Sequence, residues 1–161
     1  METIVLNKVL LVGSGSQARA YYDVLKNEHP GFLINITSKS GREISWCNEE
    51  DLVPYESLLS NDQKFKQIIF ANAECDRVSS LMDLSILSKN ILLEKPVCCS
   101  HEDYEIIVQL LKENNVRVAY NRRYFHDFLE IKKILKGSKI INITIFDQQT
   151  DNFIGANVII T

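Results

Sequence analysis

Apolar runs along the chain alternate with segments in which apolar residues recur every three or four positions. The runs are typical of strands buried on both faces, and the recurring pattern is typical of amphipathic helices. Strands are predicted at residues 8–12, 32–37, 66–74, 90–96 and 115–124, with a short one at 44–47. Helices are predicted around residues 18–25, 76–88, 104–111 and 128–135, with a helical turn near 55–59. Strands joined by single helices predict a doubly wound α/β fold, with a parallel sheet covered on both faces.

Several of these helices carry further signals. Val78, Leu81 and Met82 share one face of the second helix and are expected to be buried. Ser100 followed by Asp103 resembles a capping box, with Asp in place of the usual Glu or Gln, and predicts that the next helix begins there.

The pattern changes at the end of the chain. Ile141, Ile143 and Ile145 alternate with polar residues, and residues 153–160 form another apolar run with no helix between them. This pattern predicts antiparallel pairing. We therefore expect one α/β domain over residues 1–137 and a short antiparallel β tail over residues 138–161.

Composition and charge limit the classes of function. A chain of 161 residues with 45% hydrophobic and 24% charged residues is long enough for one ordinary domain with a real core. A formal charge of -3 without a basic cluster argues against nucleic acid or an anionic membrane as the partner. The apolar run before the first glycine is too short for a signal peptide or a membrane span, so we expect a cytoplasmic protein that binds a small molecule.

The cysteines do not form a metal-binding pattern. No pair stands at a CxxC spacing, and adjacent Cys98 and Cys99 are poorly placed for a disulfide or a tetrahedral metal site. We expect reduced thiols and no metal.

A glycine-rich segment, GSGSQA at residues 13–18, follows the first strand directly and matches the pattern GxGxxA. Gly13 is expected to make the tight turn, Gly15 to let a pyrophosphate approach the backbone, and Ala18 to allow close packing of helix on strand. The phosphates would bind the N–H groups at the start of the helix. The candidate phosphate-binding residues are Gly13, Ser14, Gly15, Ser16 and Gln17. The alternative is an ordinary glycine turn in an α/β domain.

The residues after the second strand affect the choice of cofactor. An acidic residue about 20 residues after the glycines usually binds the adenosine ribose of NAD. The segment here, TSKSGR at residues 37–42, contains no carboxylate. Ser38, with Lys39 or Arg42 as the charge partner, suits a ribose 2′-phosphate. We expect NADP as the cofactor, with NAD possible; a solvated basic turn without a ligand is the remaining interpretation.

A carboxylate and an ammonium end the apolar strand at residues 90–96. Glu94, Lys95 and Pro96 follow three buried-type residues directly. Charge beside a buried strand is costly without a partner, and ligands of α/β folds bind at the carboxyl ends of the strands. These residues either belong to a site or form a solvated strand end. The sequence leaves open whether the Lys95-Pro96 bond is cis.

Three motifs in order identify a resemblance to a known family. The glycine loop, the strand end LLEKP at residues 92–96 and the segment AYNRRY at residues 119–124 together resemble the N-terminal half of the glucose-fructose oxidoreductase and inositol dehydrogenase family (Gfo/Idh/MocA). The resemblance implies a dinucleotide-binding Rossmann domain, a nicotinamide cofactor and a sugar-like substrate.

The same resemblance implies roles for individual residues. Lys95 would be the catalytic residue, contacting or helping to activate the hydroxyl that is oxidised, and Glu94 would place it. The residues that it assigns to the cofactor and substrate side are Ala71, Asn72, Glu94, Lys95, Asn121 and Arg122. The segment Ala71-Asn72-Ala73 departs from the Thr-Pro or Pro-Asn turn usual in the family, which weakens the case for tight cofactor binding there.

Proteins of this family continue into an antiparallel sheet domain that supplies a catalytic Asp and His. None of His29, His101 and His126 matches that histidine. The resemblance therefore implies that residues 138–161 are the first strands of a truncated domain of this kind. Because their apolar residues would need a cover, we expect a homo-oligomer formed through residues 139–161.

Three functions remain open from the sequence. The first is hydride transfer between NADP and a hydroxyl or carbonyl of a sugar-like substrate. The second is a non-catalytic nucleotide-binding or sensor module. The third is a structural partner whose tail strands pair with another chain.

Overall fold

Two compact units, Met1–Tyr120 and Asn121–Thr161, make up the chain. The computed structural model describes residues 7–60, 62–137, 143–149 and 152–158. The domain boundary predicted after residue 137 falls inside the second unit and stays a prediction.

A parallel sheet of five strands forms the centre of the first unit, in the order β2-β1-β3-β4-β5. The strands are β1 (Lys8–Val12), β2 (Leu33–Thr37), β3 (Gln67–Phe70), β4 (Asn90–Leu93) and β5 (Asn115–Val118). Val12 pairs with Thr37 on one side and with Phe70 on the other, so three strands end at the same level. The chain runs from β1 outward to β2 and then returns past β1 to β3. The topological switch point, where ligands of such folds bind, therefore lies between β1 and β3.

Helices cover both faces of this sheet. They are α1 (Ser16–Glu28), α2 (Tyr55–Leu59), α3 (Glu74–Leu84) and α4 (His101–Glu113), with 3₁₀ turns at Glu49–Asp51 and Ser85–Leu87. Ala18 and Tyr22 of α1 pack with Val9 and Leu11 on one face. Residues of the other helices pack with Leu10 and its neighbours on the opposite face. Each fully buried side chain of this size stabilises the fold by about 1.5–3 kcal/mol. The doubly wound α/β fold is confirmed.

Two local predictions in this unit are confirmed. The short helix α2 coincides with the helical turn expected at residues 55–59. The Ser100 Oγ atom accepts a hydrogen bond of 3.0 Å from the Asp103 backbone N–H, and α4 begins at the next residue, as the capping pattern predicts.

Three other predictions are wrong. Residues 44–47 form no strand, because the free edge of β2 pairs instead with residues after the first 3₁₀ turn: Val53 N–H donates to the Ile36 carbonyl at 2.9 Å. Met82 is 58% exposed, since Val78 and Leu81 face the core through a different side of α3. The last three strands of the sheet end earlier than predicted: β3 at Phe70, β4 at Leu93 and β5 at Val118, instead of residues 74, 96 and 124.

The described residues of the second unit form a 3₁₀ turn, a helix and two paired strands. These are the turn Asn121–Tyr124, α5 (His126–Leu135), β6 (Ile143–Gln149) and β7 (Asn152–Val158). The two strands pair antiparallel, with Ile143 opposite Val158, so the predicted antiparallel tail is confirmed. Ile141 and Ile160 lie outside the described residues. Within the part of the chain that is described, no helix is long and apolar enough to cross a membrane.

Candidate functional site

The first glycine of the loop lies at the switch point of the sheet. Gly13 has a φ of 145°, and its N–H donates to the Thr37 carbonyl at 2.8 Å. A Cβ atom at this position would lie 2.8 Å from the carbonyl carbon and oxygen of Ala71, at the end of β3. Only glycine fits there, because both the backbone angle and the space exclude a side chain. The tight turn predicted for Gly13 is therefore present.

The second glycine of the loop borders open space. Gly15 is the N-cap of α1, with φ at -87°, and a Cβ built on it would meet no atom within 4 Å. This space lies at the start of a helix of 13 residues, where backbone N–H groups and the helix dipole favour an anion. The neighbouring Ser14 carbonyl accepts a hydrogen bond of 3.1 Å from the indole N–H of Trp46. Trp46 thus holds the backbone of the loop at Ser14, and the space next to Gly15 is open.

A cleft of about 200 Å³ lies at the carboxyl ends of β1, β2 and β3. Residues from all three strand ends and from the start of α3 form its walls. Those predicted from the sequence that line it are Ser14, Gly15, Ser38, Lys39, Arg42, Ala71 and Asn72. Three residues without a prediction, Ser40, Ala73 and Asp76, complete the lining. The structure therefore brings the glycine loop and the segment after β2 into one cavity.

Asn72, one of the residues that line this cleft, has a buried acceptor without a partner among the described residues. Its Nδ2 group donates to Ser80 Oγ at 3.2 Å, and its backbone carbonyl accepts from Arg77 at 2.6 Å. Its Oδ1 atom is buried and has no hydrogen-bond partner among the described residues. A buried acceptor without a donor is costly, and a hydroxyl of a bound ribose would satisfy it. This atom and the open space at Gly15 both fit a dinucleotide.

Hydroxyl groups and two cations, Lys39 and Arg42, lie at the β2 side of the cleft. The Oγ atoms of Ser38 and Ser40 lie 2.9 Å apart, and the Arg42 backbone N–H donates to Ser40 Oγ at 3.4 Å. The guanidinium of Arg42 makes no ion pair with a described residue. It is therefore available for an anionic ligand.

Lys39, by contrast, already has an anionic partner. Its Nζ atom lies 2.8 Å from Asp83 Oδ2 and 3.3 Å from Ser79 Oγ, both on α3. It also lies 5.6 Å from the centre of the Tyr55 ring. From the sequence, Lys39 and Arg42 are equivalent candidates for binding a phosphate. In the structure they differ, because Lys39 is paired with Asp83.

Glu94 is a buried carboxylate at the end of β4. It is 6% exposed and accepts hydrogen bonds from the Tyr21 hydroxyl at 2.6 Å, the Gln17 amide at 3.3 Å and the Lys95 backbone N–H at 3.1 Å. Burial, together with the charge of Glu94, raises the pKa of Tyr21, so the phenol stays a donor. The carboxylate thus joins the helix that follows the glycine loop to the end of β4. The Gln17 side chain serves this link, while its backbone N–H belongs to the predicted anion site.

Lys95 itself is exposed, and the Lys95-Pro96 bond is cis. The ammonium of Lys95 has no ion pair with a described residue. The Glu94 carboxylate binds the backbone N–H of Lys95, so it fixes the main chain from which the lysine side chain extends. The geometry is compatible with an amine presented to a ligand at this edge of the sheet.

Arg77 is a residue of this region that the sequence did not indicate. It is 2% exposed, and its guanidinium donates to the carbonyl oxygens of Asn72 and Glu94, each at 2.6 Å, and to that of Pro96. Burial is the main cause that lowers its pKa, but an arginine remains protonated at neutral pH. One side chain therefore ties the segment after β3 to the segment after β4. Its position on the face of α3 that carries Val78 and Leu81 could have indicated burial, but not the carbonyl groups that it binds.

Two of the predicted site residues lie in the second unit. Asn121 and Arg122 belong to the 3₁₀ turn of that unit, so their roles at the cofactor side stay predictions. Ser16 is the first residue of α1. In the described ranges, no group of three or more His, Cys, Asp or Glu side chains is arranged to hold a metal ion.

The chain is similar to several oxidoreductases. It is 24% identical to the curated Oxidoreductase P35 of Formosa agariphila over 144 residues, which cover 83% of this chain and 44% of that protein. Its fold matches myo-inositol dehydrogenase from Lactobacillus casei, solved in complex with NAD(H) and myo-inositol, with a TM-score of 0.68 and 21% identity over 81% of this chain. It also matches myo-inositol 2-dehydrogenase from Lactobacillus plantarum, with a TM-score of 0.70 and 16% identity over 83% of this chain. No family profile matches the chain.

These similarities confirm the resemblance to Gfo/Idh/MocA oxidoreductases for the fold. The chain has the Rossmann architecture of the part of these proteins that it covers. It spans about 44% of the curated relative and 41% and 43% of the two dehydrogenases.

Proposed function

We propose that this chain binds a nicotinamide dinucleotide and forms the cofactor-binding part of an oxidoreductase of the Gfo/Idh/MocA type. The observation that carries the proposal is the cleft at the switch point, which gathers the glycine loop, the hydroxyl-rich turn after β2 and the Asn72 acceptor. The similarity to a dehydrogenase solved with NAD(H) supports it.

The residues of the chain have separate tasks in this proposal. The backbone around Gly15, Ser16 and Gln17 binds the pyrophosphate, and Asn72 Oδ1 accepts from a ribose hydroxyl. Arg77 ties the segment after β3 to the segment after β4, and Glu94 joins the end of β4 to α1. Lys95 would reach the substrate from this end of β4. The nicotinamide supplies the hydride chemistry when it is bound. Lys95 would hold or move the proton of the reacting hydroxyl.

We further propose that NADP is preferred over NAD, with NAD also bound. Arg42 is the available cation at the β2 end, the two serine hydroxyls lie beside it, and the β2 end carries no carboxylate for a ribose 2′-hydroxyl. A 2′-phosphate would gain charge-assisted hydrogen bonds from this group.

Replacing Arg42 with methionine is expected to weaken NADPH binding by about 10-fold to 100-fold, the value of one or two hydrogen bonds to a charged group. NADH affinity should stay the same, because NADH lacks the phosphate. Dissociation constants from fluorescence titration measure both effects. Arg19→Met, on the exposed face of α1, is the matched control and should change neither. Equal losses for NADPH and NADH would refute the assignment of Arg42 to a 2′-phosphate.

The proposed substrate is a sugar-like polyol or its carbonyl form, as the resemblance implies, and Lys95 is the proposed catalytic residue. Lys95→Met should lower kcat on an oxidised polyol by about 10²-fold to 10⁴-fold, the usual contribution of a positioned acid or base. NADPH affinity should change little. The control is Lys89→Met, because Lys89 directly precedes the first residue of β4, at the opposite end of the strand from Lys95. A panel of sugar alcohols followed by nicotinamide absorbance provides the assay, and turnover that survives Lys95→Met would remove this role.

A non-catalytic nucleotide-binding or sensor module is the second candidate. It is favoured if NADPH binds tightly while no polyol in the panel is turned over. Assembly through residues 139–161 remains part of the proposal in either case, and sedimentation at increasing protein concentration measures it.

A further inference from the structure

Asp83 binds two polar groups close to the cleft. Its Oδ2 atom lies 2.8 Å from the ammonium of Lys39 and accepts a hydrogen bond of 3.0 Å from the Tyr55 hydroxyl. Ser79, one turn earlier on α3, accepts from the same ammonium at 3.3 Å. Lys39 lines the cleft, yet its charged end is bound to α3.

The carboxylate is charged and its contact with Lys39 is exchangeable. The hydrogen bond from Lys39 is the main cause that lowers the pKa of Asp83, so the group is ionised at neutral pH. Burial raises the pKa of Tyr55 to about 12, which keeps its hydroxyl a neutral donor. The side chains of Lys39 and Asp83 are 40% and 34% exposed. An ion pair this accessible to water is weak, and the flexible stem of lysine allows its ammonium to change partner.

We propose that Asp83 determines cofactor specificity in the cleft, by competing with the ribose 2′-phosphate of NADP for the ammonium of Lys39. This inference rests on the proposed dinucleotide site. In the free protein the charge of Lys39 is neutralised by Asp83. A bound 2′-phosphate therefore forms an ion pair with Lys39 only after the ion pair between Lys39 and Asp83 breaks. The Asp83 carboxylate thereby limits the preference for NADP over NAD that Arg42 creates.

Asp83→Asn removes the charge while keeping the size of the side chain and an oxygen for the Tyr55 hydroxyl. We expect NADPH to bind about 2-fold to 5-fold more tightly, as for release of one partly exposed ion pair, with NADH affinity unchanged. Asp23→Asn is the matched control, since that carboxylate is paired with Arg19 on the exposed face of α1 and should affect neither cofactor. If Asp83→Asn does not fold, Asp83→Ser removes the same charge and carries the same expectation.

A double-mutant cycle separates the two ways in which Asp83 can act. If the carboxylate competes for Lys39, the gain in NADPH affinity should disappear when Asp83→Asn is made together with Lys39→Met. A gain that persists in full without Lys39 overturns the competition, because Asp83 would then act only by repelling the phosphate. An unchanged or weaker NADPH affinity in Asp83→Asn overturns it as well.

The outcomes also separate this inference from the proposed function. Wild-type protein that binds neither NADPH nor NADH overturns both. If wild-type protein binds both cofactors and Asp83→Asn leaves its relative affinity for NADPH and NADH unchanged, only the inference is overturned.

Discussion

Replacing Gly13 with alanine is expected to lower the free energy of unfolding by about 3–5 kcal/mol, the sum of backbone strain and overpacking. The φ of 145° disfavours any side chain, and the new Cβ would press on the Ala71 backbone at 2.8 Å. These atoms belong to the ends of two paired strands, so neither can move without disturbing the sheet. Because domains are stable by only about 5–15 kcal/mol, the variant should unfold at a much lower denaturant concentration or accumulate as insoluble protein.

The other loop glycine provides the matched control. Gly15→Ala places its Cβ in open space at an ordinary φ, so its stability should fall by no more than about 1 kcal/mol. Its dinucleotide binding should nevertheless weaken strongly, since the methyl group fills the space next to the helix start. Urea unfolding, monitored by circular dichroism, measures the free energy of unfolding of both variants. Similar stability losses in the two variants would contradict the different surroundings of the two glycines.

Replacing Arg77 with methionine is the second change with a large expected effect, a loss of about 3–5 kcal/mol in the free energy of unfolding. The variant keeps the volume but removes the donors to the carbonyl oxygens of Asn72, Glu94 and Pro96. These acceptors lie in the segments that follow β3 and β4, so dinucleotide affinity should fall as well.

Two other arginine variants sharpen this test. Arg77→Lys retains the charge but cannot reach three carbonyl groups, so its stability should lie between those of wild type and Arg77→Met. Arg19→Met removes an exposed ion pair and should cost less than about 1 kcal/mol. An Arg77→Met protein as stable as wild type would show that the three contacts contribute little.

Elements that depend on nearby residues were predictable from the sequence. The strands and helices of the first unit follow from apolar runs and apolar periodicity. The Ser100 cap follows from the capping pattern of Ser100 and Asp103, three residues apart. The tight turn at Gly13 was predictable because the first glycine of a GxGxxA pattern between a strand and a helix makes this turn.

Features that depend on contacts between distant segments were not predictable. Asp83 neutralises Lys39 across 44 residues of sequence, and Arg77 reaches two strand ends from one helix. The missing strand at residues 44–47 has the same origin, because the segment after the first 3₁₀ turn takes the edge of β2. Tertiary competition of this kind leaves no local pattern.

Fluorescence of Trp46 gives the most direct test of dinucleotide binding. It is the only tryptophan in the chain, and its indole N–H binds the Ser14 carbonyl at the wall of the cleft. A bound reduced nicotinamide cofactor should quench its emission by energy transfer. We predict saturable quenching by NADPH, tighter than by NADH, and strong weakening of both in the folded Gly15→Ala variant. Folded wild-type protein that shows no saturable quenching by either cofactor at millimolar concentration would contradict a dinucleotide site in this cleft.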